Sequence, residues 1–169
     1  MGFIFRKLVE SDRQDIKKLF NMYHGILDIP FTEIIDRFIA LEHSYACCKD
    51  GKFVGMGGIE YTKRMNEYRY RHVALLPEYK DSGVGAVFYA FLLSKVNYKK
   101  KTLLGEIQIP VVAYAIEGAD NNRFISNISK KDYTVITKKT KVIRRYIVDV
   151  ERLEKVNAIV QSRKQKSVQ

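Results

Sequence analysis

The chain has 169 residues and carries 30 Lys and Arg against 19 Asp and Glu, a formal net charge of +11. With 46% hydrophobic and 12% aromatic residues it holds enough apolar side chain for a packed core, which excludes a wholly disordered chain or a coiled coil. The longest stretch free of charges and breakers, residues 86–93, falls well short of the ~18 residues a bilayer span needs, and the N-terminus lacks the layout of a signal peptide. These features read as an intracellular, cytoplasmic protein with no membrane partner. The expected organisation is one domain over 1–150 and a basic, partly disordered extension over 151–169. The charge is uneven, since residues 130–169 hold 12 Lys and Arg against 4 Asp and Glu. Cys47 and Cys48 are adjacent and unsuited to bridging each other, and the three histidines lie far apart, so no structural metal is expected.

In chain order, Phe3, Ile4 and Phe5 open a strand. Ser11 and Asp12 then cap a helical pattern of Ile16, Leu19, Phe20 and Tyr23. Pro30 precedes a second amphipathic helix carrying Ile34, Ile35, Phe38, Ile39 and Leu41. Two apolar runs flank Asp50 and Gly51, a hairpin signal, and residues 68–76 follow as a central strand stopped by Pro77. Residues 83–98 carry Val84, Val87, Phe88, Phe91, Leu92 and Val96 at helical spacing, closed by Lys99, Lys100 and Lys101 at the negative end of the helix dipole. Residues 103–109 read as the next strand, reached by a parallel crossover, and 110–131 as irregular and helical. Residues 133–137 and 142–150 read as a last hairpin around Lys138, Lys139, Thr140 and Lys141, and 161–169 as a mobile tail.

The chemistry lies between the central strand and the helix after it. A strand end, a tight loop and glycines opening a helix leave backbone N–H groups uncovered at the positive end of a dipole, a cradle for a phosphate. The segment lacks both the Lys-Ser/Thr ending of a nucleotide-hydrolysing loop and the three-glycine dinucleotide pattern, so a pyrophosphate carried by another cofactor fits better. Leu75-x-Pro77-x-Tyr79 followed by Lys80-x-x-Gly83-x-Gly85 resembles the acetyl-CoA loop of the GNAT superfamily of N-acyltransferases. Lys80 stands where that family carries Arg or Gln. The order of elements over about 3–150 is similar to the family's as well.

The resemblance implies an α/β (α+β) fold, a mixed and mostly antiparallel central sheet flanked by helices, with acetyl-CoA as co-substrate and no metal. It implies that the main chain of Val73, Ala74 and Leu75 lies along the pantetheine arm and that Lys80, Asp81, Ser82, Gly83, Val84 and Gly85 hold the pyrophosphate. Asn121 joins the cofactor set by alignment with the family's Asn-x-x-Ala-x-x-x-Tyr pattern. That alignment puts Phe124 at the Ala and Ile128 at the Tyr that protonates the departing thiolate, so the general acid is missing. For the base, Glu106 matches a glutamate that several members carry on the fifth strand, His72 is the second candidate, and Glu67 reads as solvent-exposed. The implied acceptor is a primary amine on a small molecule or protein, and a homodimer is compatible with the family. A CoA-binding module without turnover and an acetyltransferase acting on aminoacyl-tRNA are the competing readings. Nucleic acid, through the C-terminal basic segment, is the less favoured partner.

Overall fold

The structure, a computed structural model, describes residues 2–22, 31–116, 122–138 and 141–166. Its contacts divide the chain into two units, residues 1–60 with 71–95 and residues 61–70 with 96–169. No helix among the described residues is long and apolar enough to cross a membrane.

The first unit opens on β1 (Phe3–Lys7), followed by a 3-10 turn and helix α1 (Arg13–Met22). Asp12 does not cap α1 as expected but closes the 3-10 turn before it, whose N-cap is Val9: its Oδ2 accepts a hydrogen bond from the Val9 N–H at 3.0 Å, and Arg6 grips both its oxygens at 2.7 Å. That guanidinium holds the Asp12 carboxyl below the usual carboxylate range against the opposing effect of burial. Helix α2 (Phe31–Ile39) then faces the sheet beside α1, and a continuous core of Ile16, Leu19, Phe20, Ile34, Ile35 and Phe38 closes on Ala46, Cys48 and Met56. Tyr23, the last residue of the expected α1 pattern, lies outside the described residues.

β2 (Ser44–Lys49) pairs antiparallel with β1 and with β3 (Lys52–Thr62). Lys49 faces Lys52 across a two-residue turn in which Asp50 and Gly51 both take positive φ (51° and 78°), the conformation that tightens a hairpin in the sense of the strand twist. Cys47 and Cys48 are free and buried, and the β2–β3 register shifts between them. β3 runs into β4 (Glu67–Leu75) after a 3-10 turn. At Gly55 a Cβ would stand 2.6 Å from the Ala74 carbonyl oxygen, so only glycine admits this approach of β3 to the end of β4. Helix α3 (Val84–Leu93) buries Val84, Ala86, Phe88, Leu92 and Leu93, and Phe5 stacks on Phe88 with ring centres 5.0 Å apart.

The helix stops earlier than its apolar spacing predicts. The Ser94 hydroxyl donates to the Phe91 carbonyl at 2.7 Å, and Lys99, Lys100 and Lys101 belong to a strand instead of closing the helix. That strand, β5 (Lys99–Thr102), pairs only with β6 (Gly105–Gln108), forming a separate two-stranded sheet that is exposed throughout. The parallel neighbour of β4 is β7 (Val111–Ile116), in a region that reads as irregular and helical in the sequence; Tyr68 and Arg69 register with Val111 and Val112. Helix α4 runs over Asn122–Asn127 among the described residues.

The last hairpin forms as expected from β8 (Ser129–Lys138) and β9 (Lys141–Val148), with β9 antiparallel to β7. Residues 139 and 140 at its turn lie outside the described residues. The chain ends in a helix, α5 (Val150–Lys166), which includes residues 161–166 of the expected tail. Asp149 caps it, accepting from the Arg152 N–H at 3.1 Å, and its first turn buries Val150 and Leu153. The main sheet has seven strands in the order β1-β2-β3-β4-β7-β9-β8; β4 pairs parallel with β7, while β1–β2, β2–β3, β7–β9 and β8–β9 pair antiparallel. The fold class is thus the expected mixed, mostly antiparallel sheet flanked by helices.

Candidate active site

In the first unit, β4 ends at Leu75 and the Leu76 N–H donates to the Val54 carbonyl at 2.8 Å, fixing the strand end against β3. Val73, Ala74 and Leu75 are half-buried and Pro77 starts a 3-10 turn, in which the Tyr79 and Lys80 N–H groups donate to the Leu76 and Pro77 carbonyls. Two left-handed residues follow, Asp81 (φ 60°) and Gly83 (φ 77°), and Gly83 is the N-cap of α3. The Ser82 hydroxyl donates to the Tyr79 carbonyl at 2.7 Å and accepts the Val84 N–H at 3.4 Å, which ties the loop to the first turn of the helix. The N–H groups of that turn have no acceptor within the helix and point out of its positive end. A Cβ built on Gly85 meets only Leu75 Cδ1, at an ordinary contact distance of 3.7 Å, so packing does not require glycine here. Lys80 is half-buried beside the loop, and Asp81 and Ser82 are exposed. The expected residues 80–85 form the loop and first turn that open α3, and residues 73–75 form the end of β4. Asn121, the remaining expected cofactor residue, lies outside the described residues.

His72 sits on β4 with φ 47°, a kink within the strand, and its ring meets Phe20 and Phe38 edge-on at 5.4 and 5.3 Å. Burial against these rings pushes its pKa down to about 4, assisted by the Arg71 charge and opposed by Glu60, which Arg71 grips through Nε at 2.6 Å. The imidazole is therefore neutral at pH 7 and a weak proton acceptor. The unfolded chain, with its histidine near 6.5, binds a proton that the folded one refuses between pH 6.5 and 4. Stability from this group is complete above pH 6.5 and drains away as the pH falls through that window, at about 1.4 kcal/mol per unit and up to about 3 kcal/mol in all. Urea melts at pH 7 and 4.5 should show this slope in the parent and not in His72→Gln; equal slopes would mean the ring is not desolvated. Asp12 contributes in the same direction only below its ordinary value of 3.8, outside the window.

The other two carboxylates exchange places relative to their expected settings. Glu106 lies on β6 opposite Lys101, exposed on the two-stranded hairpin and not on the strand beside β4, so the match to a fifth-strand glutamate fails. Glu67, expected in solvent, is fully buried in the second unit. Arg69 Nη2 donates to Glu67 Oε1 at 3.1 Å and to the Tyr114 hydroxyl at 3.1 Å, that hydroxyl reaches Glu67 Oε1 at 3.4 Å, and Arg145 Nη2 donates to Glu67 Oε2. The Arg69 guanidinium also stacks over the Tyr114 ring, 4.4 Å from its centre. A carboxylate held by two cations is a structural clamp across β4, β7 and β9. Ile128 is wholly buried at the slot where the resemblance calls for a hydroxyl, and the neighbouring Ser129 hydroxyl is committed to the Ile125 carbonyl at 2.6 Å. Among the described residues no three His, Cys, Asp or Glu side chains gather as a metal site.

No family model and no curated protein matches the chain. Solved structures do. An acetyltransferase of the GNAT family from Bacillus cereus aligns over 86% of this chain and 96% of its own, with a TM-score of 0.64 at 10% identity. Ard1 from Thermoplasma volcanium aligns over 88% and 98%, with a TM-score of 0.62 at 15% identity. The N-acetylglutamate synthase of Neisseria gonorrhoeae, solved with coenzyme A and N-acetylglutamate, aligns over 87% of this chain with a TM-score of 0.61 at 12% identity, and the chain spans only 35% of that enzyme's length. Together with the strand order and the glycine loop opening α3, these likenesses show that the chain has the fold of the GNAT superfamily of N-acyltransferases.

Proposed function

We propose that the protein transfers an acetyl group from acetyl-CoA to a primary amine. The observation that carries this reading is the loop at 80–85: a left-handed Gly83 caps α3, and glycine at 85, which packing does not require, leaves no side chain over the first-turn amides where a pyrophosphate would bind. The N-acetylglutamate synthase solved with coenzyme A on the same fold supports it. Acetyl-CoA supplies an activated acyl thioester. The main chain of Val73, Ala74 and Leu75 lines the arm that carries it, beside the acyl carbonyl where charge develops during attack. Lys80 adds a positive charge beside the loop.

The side chains contribute less. His72 stays neutral and weakly basic, Glu67 is clamped, and Ile128 offers no proton, so positioning provides most of the rate while water removes the amine proton. The same buried Ile128 favours a second reading, a module that binds CoA with little turnover. A thermal melt separates both from an unrelated role. At about 100 times its dissociation constant, acetyl-CoA should add ~2.7 kcal/mol, a rise in Tm of about 5–10 °C for a chain of this size. A flat response overturns the reading, and thiol release with amine acceptors distinguishes enzyme from binder.

A further inference from the structure

The β5–β6 hairpin has no counterpart in this account of acyl transfer. Every residue of both strands is exposed, and Leu103 and Leu104 at the two-residue turn are fully so, with Ile107 behind them at 56%. The turn is shaped by its flanks: Thr102 donates through Oγ1 to the Gly105 carbonyl at 2.8 Å and accepts the Leu104 N–H at 3.3 Å, and Gly105 takes φ 122°. A hairpin with no buried face is only marginally stable in water, and this one is anchored at its base, where the Ile109 N–H donates to the Tyr98 carbonyl at 2.7 Å. Leucines at a turn where polar residues are the norm point to a surface that covers them.

We propose that this hairpin is a membrane-docking finger that inserts Leu103 and Leu104 into an anionic lipid surface with Lys99, Lys100 and Lys101 at the headgroups. The charges select the occupant. Three consecutive lysines on one strand face a single acid, Glu106, and alternate around the stem: Lys99 and Lys101 share a face with Gln108 and Glu106, Lys100 with Ile107. At ~3.3 Å per residue they stand about 7–13 Å behind the tip, at headgroup depth when the leucines reach the acyl boundary. A protein partner fits poorly, because an apolar tip of two residues is far smaller than the ~800 Å² per side of a stable interface.

The chain contains no Trp, so L103W places a single reporter at the tip. Its fluorescence should shift to the blue with phosphatidylcholine vesicles containing phosphatidylserine, less with phosphatidylcholine alone, and the shift should reverse with added salt. In co-sedimentation, Leu103→Ser with Leu104→Ser should lower partitioning on the order of 100-fold, and Lys99→Gln, Lys100→Gln and Lys101→Gln together by a similar factor. No blue shift with anionic vesicles overturns the proposal. So does undiminished binding by the serine variant, or leucine-dependent self-association without lipid, which would give the tip to a second copy of the chain.

Discussion

Glu67→Ala should destabilise the protein by about 2–4 kcal/mol, a large share of the ~5–15 kcal/mol that holds a domain of this kind together. The residue is fully buried and its two oxygens engage Arg69, Arg145 and Tyr114. Deleting it leaves two guanidiniums facing each other without a counter-charge. Removal of one partner from a fully buried pair costs ~3–5 kcal/mol. The lower range applies because Arg69 and Arg145 keep 20% and 18% of their side chains in solvent and regain some hydration. Glu67→Gln retains an acceptor and should cost less, about 1–3 kcal/mol. Glu106→Gln, on the exposed hairpin, should fall within ~0.5 kcal/mol of the parent. Urea midpoints at constant m would measure all three, and a Glu67→Ala midpoint equal to that of the parent would mean the clamp carries no weight.

This contrast shows where local sequence is informative. The Asp50-Gly51 turn, the amphipathic stripes of α1 and α2, and the glycine loop opening α3 are each written within a dozen residues, and the structure forms them. The partners of Glu67 stand up to 78 residues away in the chain, so nothing near Glu67 signals its burial. His72 gives no local sign of its left-handed backbone either, and its ring partners Phe20 and Phe38 come from helices far away in the chain.

Two elements depart from expectation for reasons visible in their residues. Alternation marks a strand with one wet face, but Val111–Ile116 is a central strand with Val111, Val112 and Ala113 all buried, and such a strand reads as a plain apolar run. The segment before it reads as the strand beside β4, and Glu106 with it, although both belong to the two-stranded hairpin. At the C-terminus, Val150, Leu153, Val156 and Val160 recur at helical spacing behind Asp149, a cap and stripe overshadowed by the charge of the segment.

The loop prediction is sharpest at Gly85, because there the requirements of fold and ligand diverge. Gly83 sits at φ 77°, so any side chain there strains the backbone by about 1–2 kcal/mol and confuses lost binding with lost folding. Gly85 has helical neighbours, and a Cβ meets only Leu75 Cδ1 at an ordinary 3.7 Å. Gly85→Ala should therefore stabilise the unliganded protein by up to ~1 kcal/mol, the usual gain for alanine over glycine within a helix. Gly85→Glu should leave the unliganded Tm unchanged or higher, since an acid in the first turn suits the helix dipole. Yet it sets a carboxylate where the pyrophosphate must approach the amides. Acetyl-CoA affinity should fall by on the order of 100-fold or more, the ~2.7 kcal/mol gained by the parent at about 100 times its dissociation constant shrinking almost to nothing. Calorimetric titration beside the melts separates the two effects. If Gly85→Glu binds acetyl-CoA as tightly as the parent, the pyrophosphate does not lie on α3, and the assignment of residues 80–85 falls even if the transferase reading survives.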